Sequence, residues 1–300
     1  MTEQRFVRLE RRAIIAVGGD DRRTYLQGLI SNDVTRLSPG LAQFAAMLTP
    51  QGKFLFDLFL AEAADGSFLI DTEADRAEAL VRKLTMHRLR AKVTIELDPT
   101  LSVYAAWGDK VATRLGLPAA AGSAAPFAGG IALVDPRLAS AGFRLVLPEG
   151  GEAALIAAGF APGELADWDR TRIALGLPDG ARDMEPEKAL LLENGYEELA
   201  GVDFEKGCYM GQELTARTRY RGLIRKRLMP VTISGPTPAP GTIIHHGEAE
   251  AGEMRSSAGD QGLALIRLEA FQASGGQGLR CGEATLTAHR PDWAKFPETE

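Results

Sequence analysis

The spacing of apolar and polar residues changes several times along the chain, and each change marks an element. Residues 13–17 (AIIAV) read as a buried strand, followed by Gly18, Gly19, Asp20 and Asp21, which suit a turn and a helix cap. Tyr25, Leu26, Leu29 and Ile30 then share one helical face. QFAAMLT and KFLFDLFL, joined by Pro50, Gln51 and Gly52, predict a two-stranded hairpin. SFLID, ADRAEALVRKLTMHRL and KVTIEL continue as strand, helix, strand. From Leu101 to Leu147 short strands alternate with PAAAGSAAPFAGG, an Ala/Gly-rich stretch expected to be a surface connection. EAALIAAGF and LADWDRTRIALG are helical. After Gly222 short β runs (LMPVTIS, GTIIHH, GLALIRL, EATLTAH) alternate with glycines, ten of them between Gly235 and Gly282. The pattern predicts an α+β fold, with a body over 1–225 and a small all-β barrel or sandwich over 226–300.

Composition, 45% apolar and 25% charged, is that of an ordinary globular protein. The opening MTEQRFVRLERRAIIAVGG holds too short an apolar run for a signal-peptide core, and no later stretch has about eighteen uncharged apolar residues. A cytoplasmic protein with no membrane partner is therefore expected. The two cysteines, Cys208 and Cys281, lie 73 positions apart and are expected to be free thiols. No CxxC occurs, so this chain alone is not expected to hold a stable zinc or iron–sulfur site. GxGxxG, GxxxxGK[ST] and HExxH are also missing, which excludes the fingerprints of dinucleotide, P-loop and zinc-protease chemistry.

Charge changes the picture at one place. The net charge is −6, yet residues 206–227 carry seven basic residues (Lys206, Arg217, Arg219, Arg221, Arg225, Lys226, Arg227) against Glu213. A cationic strip on an acidic protein points to an anionic ligand rather than to nucleic acid; the alternative is a solvated helix face. The same stretch, KGCYMGQELTARTRYRG, contains Cys208 between Gly207 and Gly211, two glycines that open unusual backbone conformations. Helix formers start directly after Gly211. A thiol just ahead of a helix N-terminus and beside cations should have a lowered pKa and could serve as nucleophile, redox sensor or metal ligand. The competing reading is a buried cysteine acting as a small hydrophobe. No histidine among His87, His245, His246 and His289 pairs with Cys208 by sequence logic, which argues against a hydrolase.

Asp57 interrupts a strand that is apolar on both faces, sharing its face with Leu55 and Phe59. A carboxylate there must either meet a ligand or be satisfied by backbone or an arginine. Asn32 and Asp33, in SNDV, read as a turn after the first helix or as polar contributors to a pocket.

With these residues assembled, the chain resembles the YgfZ-type folate-binding proteins, relatives of the glycine-cleavage T-protein (aminomethyltransferase) implicated in iron–sulfur cluster assembly or repair. KGCYMGQE (206–213) matches the signature K-G-C-Y-x-G-Q-E at every defined position. LQGLISNDV (26–34), LTPQGKFLFDLFL (48–60), RIALGLP (172–178), PEKALLLENG (186–195) and GLALIRL (262–268) follow in the family's order. The resemblance implies a three-part, ring-like T-protein fold around a tetrahydrofolate cavity, closed on one side by the β-barrel. It implies that Cys208 is the functional cysteine, with Asp57 as a second catalytic candidate. Asn32, Asp33, Asp57, Lys206, Tyr209, Gln212, Glu213, Arg217 and Arg219 are then the folate-contacting candidates, and the arginines face the anionic glutamyl tail. The T-protein's paired aspartates fall on Phe56 and Asp57, and its pterin-binding glutamate falls on Ala174, so glycine cleavage itself is disfavoured. The implied function is a tetrahydrofolate-binding accessory factor for iron–sulfur client or assembly proteins. The alternatives are a folate-dependent one-carbon transferase using Asp57 on an amine, and an RNA or acidic-protein binder using the basic strip.

Overall fold

Strand pairing in the computed structural model, which describes residues 3–222 and 224–296, sorts the strands into three sheets. The first runs in the order β3 (Gln43–Leu48), β4 (Phe54–Glu62), β5 (Phe68–Glu73), β2 (Arg12–Gly18), β6 (Thr94–Asp98). The second runs β11 (Ala161–Pro162), β1 (Arg5–Arg8), β7 (Leu101–Trp107), β10 (Phe143–Pro148), β9 (Gly130–Val134), β8 (Ala124–Phe127). The third closes into a six-stranded barrel: β12 (Lys226–Ser234), β15 (Gln261–Arg267), β14 (Ala249–Ala258), β13 (Ile243–His246), β16 (Leu279–Cys281), β17 (Ala284–Ala288). Helices are α1 (Arg22–Gln27), α2 (Ala77–His87), α3 (Val111–Leu115), α4 (Gly151–Ala157), α5 (Leu165–Ala174), α6 (Gln212–Tyr220) and α7 (Leu268–Ser274).

These elements form two units. Met1–Thr49, Leu55–Leu165 and Leu199–Met210 make the first; Pro50–Phe54, Ala166–Glu198 and Gly211–Glu300 make the second. In the first unit the period-2 alternation of KFLFDLFL sorts Phe56 to Leu60 as expected, while Leu55, expected beside Asp57 and Phe59, also joins the core cluster. Phe56, Leu58 and Leu60 join Leu26, Ile30, Leu80 and Leu84 in one apolar core, while Asp57 and Phe59 face the other way. The second sheet buries Tyr104, Leu145 and Leu147 with Leu115 of α3 and Leu155 of α4.

In the second unit the barrel interior is filled by Met229, Val231, Ile244, Met254, Ile266 and Leu286. The unit extends beyond the barrel, whose first strand starts at Lys226, because α5 and the segment after it are fastened to the barrel wall. Ile173 packs on Leu228 and Leu263. Buried Arg172 donates to Asp183 (2.7 Å) and to Ser256 (2.9 Å), where the register of β14 shifts between Met254 and Ser257. Arg227, the first barrel strand's buried arginine, donates to the Leu192 carbonyl (2.9 Å) and pairs with Glu198.

Two local expectations need correction. Asp21 does not cap α1; its carboxylate accepts the Lys92 N–H (2.7 Å), tying the turn to the approach of β6. The Ala/Gly-rich stretch is not all loop, since Ala124–Phe127 forms β8, paired with β9 from Ala124↔Leu133 to Phe127↔Gly130.

Candidate functional site

Cys208 sits in the first unit on a loop from Asp203 to Met210, and its thiol is exposed. The loop is held from both ends. Asp203 accepts the N–H groups of Glu205 (2.7 Å) and Lys206 (3.0 Å), a side-chain-closed turn. The Asp203 N–H donates to the Ser31 carbonyl (3.0 Å) and the Met210 N–H to the Gly28 carbonyl (3.0 Å). Ser31 returns a hydroxyl bond to the Gly201 carbonyl (2.6 Å), and Arg36 lies 3.4 Å from the Asp203 carboxylate. Between these anchors the Lys206 ammonium donates to three carbonyls, those of Gln27 (2.8 Å), Ile30 (2.7 Å) and Asn32 (2.7 Å). Its Nζ also lies 5.1 Å from the centroid of the Tyr209 ring, and Tyr209 itself is buried.

This geometry corrects several expected ligand contacts. An ammonium has three N–H groups, and all three of Lys206 are committed to the last residue of α1 and the segment that follows it. Burial lowers its pKa from 10.5 to about 8, opposed by the charges of Asp33 and Asp203. Asn32 gives its amide N–H groups to the Phe44 and Ala200 carbonyls (both 2.7 Å) and accepts the Asp33 N–H through its own oxygen (2.8 Å). Asp33 caps a short 3₁₀ turn at Val34–Arg36, accepting from Thr35 N–H (3.0 Å), Thr35 hydroxyl (2.6 Å) and the Gln27 amide (2.9 Å). Burial would raise its pKa, but those bonds and the Arg36 charge hold it below the usual value. These three residues build the platform under the cysteine loop.

Gly207 has open space where a Cβ would stand and does not adopt a positive φ, so the fold itself does not require glycine there. That differs from the expectation that both motif glycines serve unusual backbone geometry.

Asp57 is 1% exposed, and both its oxygens accept from Arg12 Nη1 at 3.0 Å. Arg12 also donates through Nε to Asp71 (2.6 Å), and Asp71 takes a second guanidinium from Arg144 of β10 (2.6 Å). The cluster lies against Phe59, whose ring centroid is 5.4 Å from Arg12, 4.8 Å from Arg137 and 3.8 Å from Arg144. Asp57 is therefore satisfied by an arginine, the second of the two readings its position allowed. The assignment of Asp57 as a base or pterin contact is corrected accordingly: its carboxylate closes a buried ion-pair network. Arg12, Asp71 and Arg144, which sequence reasoning did not single out, complete it. A charged residue at the edge of the AIIAV strand was the one available hint.

In the second unit, Gly211 (φ 81°) precedes α6 in a left-handed conformation that favours glycine. Gly52 (φ 80°) lies so close that a Cβ on it would stand 2.6 Å from the Gly211 carbonyl oxygen. On α6, Gln212 is half-buried, Glu213 and Arg217 are exposed, and Arg219 pairs with Glu197 (2.7 Å). The basic strip is thus only partly available to a ligand, since Arg219 and Arg227 have carboxylate partners. Cys281 faces the barrel core, where burial pushes its thiol pKa up.

Residues 225–296 match the family described as the CAF17 C-terminal beta-barrel domain. Over 95% of its length the chain is 38% identical to the iron-sulfur cluster assembly factor IBA57, mitochondrial, of Mus musculus, and 35% identical to that of Homo sapiens; in both it covers 84% of the relative. Among solved structures, the glycine cleavage system aminomethyltransferase T of Bartonella henselae superposes with a TM-score of 0.75 at 18% identity, covering 97% of this chain and 86% of that one. The fold is therefore T-protein-like α+β with a closed C-terminal barrel. The cytoplasmic expectation is overturned, because these IBA57 relatives are described as mitochondrial. With more than a third of its residues identical to a relative matched over most of its length, the chain belongs to the IBA57 family of iron–sulfur cluster assembly factors.

Proposed function

We propose that this protein works in iron–sulfur cluster assembly by presenting the exposed Cys208 sulfur to a partner, the loop acting as a fixed mount. The observation that carries this reading is the placement of one exposed sulfur at the apex of a segment pinned by Lys206, Asp203 and Met210. Open space beside Gly207 supports it, since a partner's groups can approach the thiol there. Among the described residues no group of three or more His, Cys, Asp or Glu side chains could hold a metal ion. An iron or sulfide contacted by Cys208 would then take its remaining ligands from the partner.

Tetrahydrofolate enters this reading in a reduced form. A pterin's amide-like donors need a free carboxylate, and Asp57 is bound to Arg12 while position 174 is alanine. The residues present do not fit pterin recognition. Arg217, exposed and without an ion pair among the described residues, is the cation that would meet a glutamyl tail. The one-carbon transferase reading loses its base for the same reason.

The test is complementation. In cells lacking their own factor, a Cys208→Ala chain should accumulate and melt like wild type, because the side chain is exposed, yet fail to restore cluster-dependent enzyme activity. Full restoration by the alanine variant would refute the proposal.

A further inference from the structure

We propose that the C-terminal end of α2 is a peripheral contact site for an anionic lipid surface. Helix α2 packs inward through Ala77, Leu80 and Leu84. Its other side ends in two aliphatic side chains turned to water, Met86 (63% exposed) and Leu89 (90% exposed). Leu89 also has φ 46°, a left-handed backbone that a branched side chain seldom adopts. An apolar side chain held fully outward on such a backbone gains nothing from its own fold. It is positioned for something outside the molecule.

Its neighbours state what that is. Arg82, Lys83, Arg88, Arg90 and Lys92 lie within seven positions of it in the sequence, which has no acidic residue between Glu78 and Glu96. Arg82 makes only a loose, exposed contact with Glu78 (3.4 Å), and the other four cations have no ion pair among the described residues. From another element, the Asp21 carboxylate accepts the Lys92 backbone N–H and stands as one negative charge at the edge of the patch. A nucleic acid would use the cations but not the aliphatics, and no exposed aromatic stands among them to stack on bases. An acidic protein would need carboxylates matched to five scattered positions. An anionic bilayer requires no such match: smeared headgroup charge takes all the cations, and the acyl boundary takes Met86 and Leu89. With a net charge of −6 the chain as a whole is repelled, so the contact is orienting and confined to this patch. Among the described residues no helix is long and apolar enough to cross a membrane, and the contact proposed is a peripheral one.

Each cation near such a surface strengthens partitioning roughly fivefold, so the patch should reach the reversible range of a single acyl chain, about 10⁴ M⁻¹. The experiment is co-sedimentation of the full chain with phosphatidylcholine vesicles, either pure or containing roughly one-third phosphatidylglycerol. Binding is expected only to the anionic vesicles, weakening with added salt. Leu89→Ser should lower it about tenfold, and Arg88→Glu with Arg90→Glu at least tenfold. Lys110→Glu with Arg280→Glu, on other surfaces, should leave it unchanged. All these side chains are exposed, so melting curves should match wild type. No sedimentation with anionic vesicles, equal sedimentation with neutral ones, or binding indifferent to the Leu89 and Arg88/Arg90 changes would each overturn the proposal.

Discussion

Replacing Lys206 by methionine tests whether the motif lysine is a mount rather than a ligand contact. The substitution keeps the aliphatic stem and removes three charge-assisted hydrogen bonds, to the Gln27, Ile30 and Asn32 carbonyls. At about 1.5 kcal/mol each these contribute roughly 4–5 kcal/mol. Against this stands the desolvation that lowers the amine from 10.5 to about 8, a penalty near 3 kcal/mol that water around the half-buried group reduces to about 2. The net loss expected is about 2–3 kcal/mol. It should appear first as faster amide exchange at Met210 and Asp203, whose N–H groups bond the same segment. The pH dependence has a definite sign. The folded-state value lies below the unfolded one, so the unfolded chain binds more protons between pH 8 and 10.5, and wild-type stability gains with pH in that window. The gap between wild type and Lys206→Met, measured by urea denaturation, should therefore widen from pH 7 to pH 9.5. A variant as stable as wild type with unchanged exchange at both amides, or a gap that narrows with pH, would refute the reasoning.

Four shorter predictions follow from the same geometry. Arg12→Leu leaves Asp57 and Asp71 buried without their shared cation and should destabilise the first unit by about 3–5 kcal/mol in denaturant titrations. Gly207→Ala, with open space for its Cβ, should melt like wild type but restore cluster-dependent activity poorly, whereas Gly211→Ala at φ 81° should lose about 1 kcal/mol. In calorimetric titration with tetrahydrofolate polyglutamate, Arg217→Ala should weaken any heat of binding several-fold, because it removes the exposed cation that would meet the glutamyl tail. Glu193 is held protonated to higher pH by burial, against the charges of Lys226, Lys53 and Arg227. Its ionised form therefore lowers stability as pH rises past the usual carboxylate range, and Glu193→Gln should melt higher than wild type at pH 7 but not at pH 4.

What the sequence revealed and what it concealed divide along a physical line. KFLFDLFL declared its two faces because alternation is a local property, and GQELTARTR declared α6 because Gly211 and the helix formers lie side by side. SAAPF was misread because alanine and glycine carry no strand signal until β9 supplies the partner. The chemistry of the polar residues was concealed more deeply. Lys206 finds its three acceptors 174 to 179 positions away, and Asp57 finds Arg12 at a separation of 45. A charged residue in a motif looks the same whether it awaits a ligand or holds a loop, and only the position of its partners decides.

That distinction bears on how such a protein could act at all. The buried charges of the first unit are matched pairwise: Arg12 with Asp57 and Asp71, Arg144 with Asp71, Arg137 with Asp135. Such groups fix geometry and are poor at exchanging ligands, because removing either partner leaves an uncompensated charge in a dry interior. The cysteine is the opposite case, exposed, on a loop whose backbone is immobilised by bonds that do not involve the sulfur. On the proposed reading, a thiol mounted this way loses little conformational entropy when its sulfur ligates a partner's iron, releasing its proton to solvent, so the contact can form and break without unfolding its support. A lone sulfur gives one ligand, too few to retain a metal by itself. On the proposed reading, a rigid single ligand suits a contact that is made and released rather than one that stores a metal.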